Sequence, residues 1–109
     1  MQLISIYERP DRHILLYSLL EERDETVNIS HRAMPSYDDH CDFVDSKPYE
    51  AWYIIEATGA PVGACYLTKH DEIGVHVFKL AQGKGYGHKA VEALMEKHGN
   101  RRYLANINP

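Results

Sequence analysis

The chain has 109 residues, of which 44% are hydrophobic, and its formal net charge is −4 at pH 7. This length suits one domain over residues 1–109, and the composition is typical of a soluble globular protein. The acidic balance argues against a nucleic acid partner, and no apolar run is long enough to span a bilayer. We therefore expect no membrane association and a cytoplasmic location.

The first half of the chain predicts one strand and two helices. Residues 1–7 are rich in β-forming apolar side chains and predict a strand. Pro10 suits the first turn of a helix with a broad apolar face, and the charged residues 21–24 mark its end. Residues 27–30 are interpreted as a connector. A short second helix is expected after Ser36, which is a helix-capping residue type.

The second half changes to the two-residue period of β-strands. Three segments joined by short turns predict an antiparallel meander over residues 51–57, 62–68 and 72–78, with the first turn at residues 58–61. A helix over residues 86–98 and a last strand over residues 103–107 follow. A strand–helix–strand unit joins parallel strands, so the last strand is expected beside the third one of the meander. The order β-α-α-β-β-β-α-β predicts an α/β (α+β) fold with a mixed, mostly antiparallel sheet and flanking helices.

A glycine-rich segment, Gln82-Gly83-Lys84-Gly85-Tyr86-Gly87, lies between the last strand of the meander and the following helix. Three glycines at alternate positions remove every second side chain, so backbone N–H groups can point inward together beside the positive end of the helix dipole. Four basic side chains accompany the segment: Lys79, Lys84, His88 and Lys89. These features favour a phosphate or pyrophosphate ligand, and the alternative is an ordinary glycine turn.

Two common phosphate motifs do not fit this spacing. The Walker loop requires a hydroxyl residue after its Gly-Lys pair, and here Gly85 follows Lys84. The dinucleotide fingerprint requires Gly-x-Gly-x-x-Gly, which the alternate glycines do not supply. The segment resembles instead the Arg/Gln-x-x-Gly-x-Gly/Ala signature of the GNAT superfamily of N-acetyltransferases. Gln82, Gly85 and Gly87 stand at its three fixed positions.

This resemblance implies a fold, a cofactor and a set of binding residues. It is specific over residues 50–109, and it implies a GNAT-like sheet in which the strands matching residues 72–78 and 103–107 splay apart. It implies acetyl-coenzyme A (acetyl-CoA) as the cofactor, with the pyrophosphate on the backbone of the glycine-rich segment. The backbone of Val77 and Phe78 would polarise the thioester carbonyl. The implied cofactor-binding residues are Val77, Phe78, Gln82, Gly83, Lys84, Gly85, Tyr86, Gly87 and His88.

The implied reaction transfers an acetyl group to an amine of a small molecule or protein, and it needs a base. Glu72 and His76 are the candidate catalytic residues, because their even spacing on one strand places both side chains on the same face of the sheet. The ordinary pKa of histidine, about 6.5, suits proton transfer near neutral pH. The alternative is that Glu72 is solvated and His76 packs against a helix.

The seven histidines and two cysteines raise the question of a metal site. None shows the His-x-x-x-His or Cys-x-x-Cys spacing that places ligands on one face. The adjacent pairs His40-Cys41 and His70-Asp71 also lack it. We therefore predict no metal.

Two functional hypotheses follow. The first is an acetyl-CoA-dependent N-acetyltransferase acting on an amine-bearing acceptor. The second is a non-catalytic CoA-binding or interaction module, because family members usually continue past the last strand whereas this sequence stops at Asn108-Pro109. The same ending would leave an outer edge of the last strand unpaired, and such an edge favours a homodimer.

Overall fold

A five-stranded sheet organises the computed structural model, which describes residues 1–26, 35–99 and 101–107. The described strands are β1 (Gln2–Ser5), β2 (Ala51–Ala57), β3 (Ala60–Leu67), β4 (Glu72–Val77) and β5 (Leu104–Ile107). The described helices are α1 (Arg12–Thr26), α2 (Tyr37–Asp45) and α3 (Tyr86–His98). The connector assigned to residues 27–30 lies outside the described residues, and so do the last two residues of the chain.

The strands lie in the sheet in their sequence order, from β1 to β5. Neighbours from β1 to β4 are antiparallel, whereas β4 and β5 are parallel, with Glu72 opposite Leu104 and Val75 opposite Ile107. Helix α3 connects these last two strands, as a parallel pair requires. The predicted order of elements and the mixed, mostly antiparallel sheet are confirmed.

Different helices cover the two faces of the sheet. Odd-numbered side chains of β2, β3 and β4 form one apolar cluster with α3. Even-numbered side chains of β2 and β3 form a second cluster with α1 and α2. Because side chains alternate along a strand, Glu72, Gly74 and His76 belong to the face covered by α1 and α2, which we call the α1–α2 face.

The turn between β2 and β3 is tighter than predicted. Only Thr58 and Gly59 form it, with φ of 53° and 79°. Positive φ at both central positions is typical of the two-residue hairpin turn whose twist matches that of the strands. Pro61, assigned to this turn from the sequence, belongs instead to β3 and lies opposite Glu56, where the register shifts. Such a bulge is one of the few strand positions that tolerate proline.

Further boundaries differ from the prediction: α1 begins at Arg12, so Pro10 lies in the turn before it and not in its first helical turn. Strand β1 ends at Ser5, because a 3-10 helix at Ile6–Glu8 follows and the Ser5 hydroxyl accepts the N–H of Tyr7. Helix α1 continues to Thr26, past the charged residues expected to end it, since glutamate and arginine are good helix formers. Across the described ranges, no helix is both long and apolar enough to cross a membrane.

Candidate cofactor and acceptor site

The glycine turn, residues 82–85, lies between the carboxyl end of β4 and the start of α3, after a 3-10 helix at Lys79–Ala81. Gly83 and Gly85 have φ of 83° and 79°, in the left-handed region that glycine adopts without steric cost. A Cβ atom added at either position would meet no atom within 4 Å. The backbone conformation therefore requires these two glycines, and the space beside them is open.

The N-terminus of α3 opens onto this turn. Gly85 is the residue before the helix, and it has no side chain to cap the first N–H groups. The first helical hydrogen bond runs from the Lys89 N–H to the Gly85 carbonyl, at 3.1 Å. The N–H groups of Tyr86, Gly87 and His88 therefore have no acceptor within the helix. Together with the positive end of the helix dipole, these three donors suit an anion.

Charge and exposure around the glycine turn also suit an anion. Residues 82–85 are exposed, including the Lys84 side chain, and His88 and Lys89 are exposed as well. The first turn of α3 contains no acidic residue. An incoming phosphate would meet backbone donors and basic side chains without a competing carboxylate from this helix.

Gln82 ties the glycine turn to the end of β4. Its side-chain Nε2 donates to the Val77 carbonyl at 3.0 Å. The N–H and carbonyl of one strand residue point to the same edge, so the Val77 N–H also faces the β5 side. The described pairs of β4 with β5 end at Val75 and Ile107. The Val77 N–H therefore points past the described end of the parallel ladder, towards the gap that the resemblance implies.

The second backbone donor expected from the resemblance is already used. The Phe78 N–H donates to the Val62 carbonyl on β3 at 2.9 Å. It could polarise a thioester only by breaking this hydrogen bond, so the prediction for the Phe78 backbone is wrong. The Phe78 side chain packs with the apolar cluster of the α1–α2 face. Val77 remains the candidate donor.

Glu72 and His76 lie on the same face of β4, but the structure does not bring them together. They stand four positions apart, which corresponds to ~13 Å along a strand. Glu72 is exposed at the start of β4, whereas His76 is half-buried and both of its ring nitrogens are shielded from solvent. His76 directly precedes Val77. It is therefore the nearer of the two to the candidate carbonyl-binding amide.

Glu22, which the sequence did not single out, reaches from α1 to the 3-10 helix that precedes the glycine turn. Its Oε1 accepts the N–H of Lys79 at 2.8 Å, across 57 positions of sequence. The sequence carried no signal for this contact, because Glu22 stands in a charged run at the end of a helix. The contact fixes the end of α1 against the segment that follows β4.

Two buried or half-buried histidines lie away from the glycine turn. His40 of α2 is only 4% exposed, and burial lowers the pKa of its imidazole, while a hydrogen bond to the His13 backbone opposes this shift. The Nε2 atom of His98 and the Tyr53 hydroxyl share a hydrogen bond of 2.9 Å. Burial lowers the pKa of the His98 imidazole as well. His98 ends the 13-residue α3, ~20 Å from the turn. In the described part of the chain, no three His, Cys, Asp or Glu side chains are grouped to hold a metal.

Comparisons with known proteins bear on the family and the fold of the chain. The sequence model of the family described as "Acetyltransferase (GNAT) family" matches residues 14–108. No curated protein matches the chain. Among solved structures, the crystal structure of an acetyltransferase from Thermus thermophilus is similar, with a TM-score of 0.63 and 17% sequence identity. The match covers 85% of this chain and 66% of that one, and at this identity it supports the fold alone.

Proposed function

Because this chain belongs to the acetyltransferase (GNAT) family, we propose that it is an N-acetyltransferase that moves an acetyl group from acetyl-CoA to an amine. One observation carries the proposal. The helix α3 starts without a side-chain cap, directly after a turn that two left-handed glycines, Gly83 and Gly85, keep open. This arrangement supports a pyrophosphate site at the carboxyl end of β4, where the chemistry would take place.

The residues present fit an anionic cofactor. The N–H groups of Tyr86, Gly87 and His88 would hold the pyrophosphate, since they have no acceptor within the helix. Lys84 and Lys89 are exposed, so they add charge that salt would screen. When bound, acetyl-CoA supplies a thioester whose carbonyl carbon is the electrophile.

The Val77 N–H is the donor that would stabilise negative charge on the carbonyl oxygen during the reaction. Two hydrogen bonds fix the peptide group that directly follows this amide, and they limit its motion before the reaction. Gln82 binds the carbonyl of Val77 itself, and Phe78 pairs with Val62 on the other side of the strand. A donor fixed in this way need not reorganise as charge develops, which is the condition for effective electrostatic catalysis.

The amine must lose a proton, and His76 is the base that the geometry favours over Glu72. His76 is next to Val77 in sequence and faces the α1–α2 side, where an acceptor would approach. Its half-buried position limits competition from bulk water. Glu72, ~13 Å away along β4, would act on another part of the acceptor.

A cofactor-binding module without turnover is the second candidate function. The observation that favours it is the loss of one backbone donor, since the Phe78 N–H is bound to Val62. A thiol-release assay with acetyl-CoA and a panel of amines separates the two candidates, with CoA binding measured by calorimetry in parallel. Amine-dependent thiol release supports the enzyme. CoA binding without amine-dependent release supports the module, and absence of CoA binding contradicts both.

A further inference from the structure

An aromatic side chain lies across β4 on the α1–α2 face. The ring of Tyr66 covers Gly74, and a Cβ added to Gly74 would lie 2.1 Å from Tyr66 Cζ and 2.4 Å from its hydroxyl oxygen. The ring is held there by stacking on Tyr49, with centroids 4.1 Å apart and planes 10° from parallel. Any side chain larger than glycine at position 74 would displace the ring. The Tyr66 hydroxyl therefore has a defined place above β4.

This hydroxyl lies between the two candidate catalytic side chains. Gly74 is two residues from Glu72 and two from His76, so each side chain begins ~7 Å from it on the same face. Within the part of the chain that the structure describes, the Tyr66 hydroxyl makes no hydrogen bond. Leu104, the partner of Glu72 on β5, is 60% exposed, so the Glu72 end of this face is accessible.

The surroundings of this hydroxyl are aromatic. Trp52 and Phe43 extend the ring cluster, with their centroids 4.8 Å and 6.1 Å from that of Tyr49. Phe43 belongs to α2, whose last aspartate, Asp45, is already paired with Arg12 and His13 of α1. The exposed Glu72 adds a carboxylate at the edge of the cluster. Aromatic rings and carboxylates in this combination are complementary to an organic cation.

The distance along β4 decides which part of an acceptor this region could bind. Gly74 and Val77 stand three positions apart, which corresponds to ~10 Å along the strand. A group bound by Tyr66 and Glu72 is therefore too far from the Val77 amide to be the nitrogen that is acetylated. Of the two candidate catalytic side chains on this face, His76, adjacent to Val77, is the one nearer to the reacting nitrogen.

We propose that the acceptor carries a second cationic group, ~10 Å from the nitrogen that is acetylated, and that Tyr66 and Glu72 bind this group. The proposal rests on the proposed acetyltransferase function and names the class of its substrate. Glu72 accepts hydrogen bonds from the cation, the Tyr66 oxygen accepts another, and the aromatic cluster shields the chain that links the two nitrogens. The reacting nitrogen is left beside His76 and Val77.

Calorimetry with a series of α,ω-diamines tests the proposal, with n-alkylamines of the same carbon number as controls and saturating CoA throughout. The expected result is that diamines bind about tenfold more tightly than the matched monoamines, the gain from one charge-assisted hydrogen bond. The advantage should peak where the two nitrogens stand ~10 Å apart. Equal binding of diamines and monoamines at every length would overturn the proposal.

Three variants locate the binding group. Glu72→Gln should abolish the diamine advantage, and Tyr66→Phe should reduce it about threefold while keeping the stack on Tyr49. Glu96→Gln makes the same charge change at an exposed position of α3, on the opposite face, and should leave the advantage intact. An advantage unchanged in both Glu72→Gln and Tyr66→Phe would also overturn the proposal.

The outcomes separate this inference from the function on which it rests. Acetylation of monoamines and diamines at equal rates would keep the acetyltransferase and remove the second cation site. Diamine binding that depends on Glu72, without amine-dependent thiol release, would keep the cation site and remove the transferase function.

Discussion

Gly85→Ala is the sharpest perturbation of the glycine turn, because the structure supplies a matched control. Gly85 has φ 79° and open space where a Cβ would stand, and Gly59 in the β2–β3 hairpin has the same φ and equally open space. Alanine at either position places an L-residue in the left-handed region. The cost is about 1–2 kcal/mol of folding free energy in each variant. The two variants should therefore lose similar stability in urea unfolding.

Their affinity for CoA should differ. Around Gly85 the protein leaves room for a methyl group, so the methyl can clash only with a ligand seated on the turn. Strain at Gly85 would also tilt the N–H groups of Tyr86 and Gly87 at the start of α3. Loss of one hydrogen bond to a charged phosphate costs about 1.5–3 kcal/mol, which is a factor of about 10 to 100 in Kd. Gly59→Ala should keep the wild-type Kd.

Calorimetric titration of CoA into the wild type and both variants measures this difference. Equal Kd values for Gly85→Ala and the wild type would refute the assignment of the pyrophosphate to the glycine turn. Equal losses in Gly85→Ala and Gly59→Ala would mean that affinity follows stability and not the site. Only a loss confined to Gly85→Ala agrees with the geometry.

Three further predictions follow from individual side chains. Lys84→Ala should weaken CoA binding modestly and make the binding less dependent on salt concentration. The control Lys69→Ala, in the β3–β4 turn, should have neither effect. An unchanged salt dependence in Lys84→Ala would show that Lys84 points away from the cofactor. His76→Ala should lower kcat and remove an ionisation from the acidic limb of the pH–rate profile, and an unchanged profile would exclude His76 as the base. Burial lowers the pKa of His40 in the folded protein, so the unfolded chain binds the His40 proton more tightly. The contribution of neutral His40 to folding stability is therefore fully present above about pH 6.5, the ordinary pKa of histidine, and is lost on acidification. Between about pH 7 and about pH 5, the free energy of unfolding in urea should therefore fall less in His40→Gln than in the wild type. The exposed-site control His70→Gln should behave like the wild type, and identical decreases in all three proteins would contradict the prediction.

Local sequence patterns were enough to predict the order of the helices and strands and the position of the glycine turn. The two-residue period of β2, β3 and β4 and the apolar face of α3 are short-range signals that tertiary packing did not override. The glycines at 83 and 85 could be recognised because left-handed turns before a helix depend on this residue type. The misplaced turn at Pro61 has a local cause too, since proline is a turn former that a bulge can also accommodate.

Contacts between distant residues could not be predicted in this way. No short-range pattern excludes the Phe78 N–H as a free donor, because its pairing with Val62 depends on the exact register of β3 and β4. The bond from Glu22 to the Lys79 amide depends on where α1 ends in space. Tyr66 can lie over Gly74 because glycine on β4 leaves room for its ring and because the ring of Tyr49 stacks on it. In each case the decisive information is a long-range alignment that periodicity does not encode.

The central claim is that a pyrophosphate-bearing cofactor binds where α3 begins and β4 ends. Backbone amide NMR of the uniformly labelled protein, titrated with CoA, tests it most directly. If the cofactor binds there, the largest chemical-shift changes occur at Gly83, Gly85 and the amides of residues 86–88, with a further change at Val77. The amide of His98, at the far end of α3, should barely move. Large changes centred on the His98 end, with unchanged amides at residues 83–88, would show that the cofactor binds elsewhere.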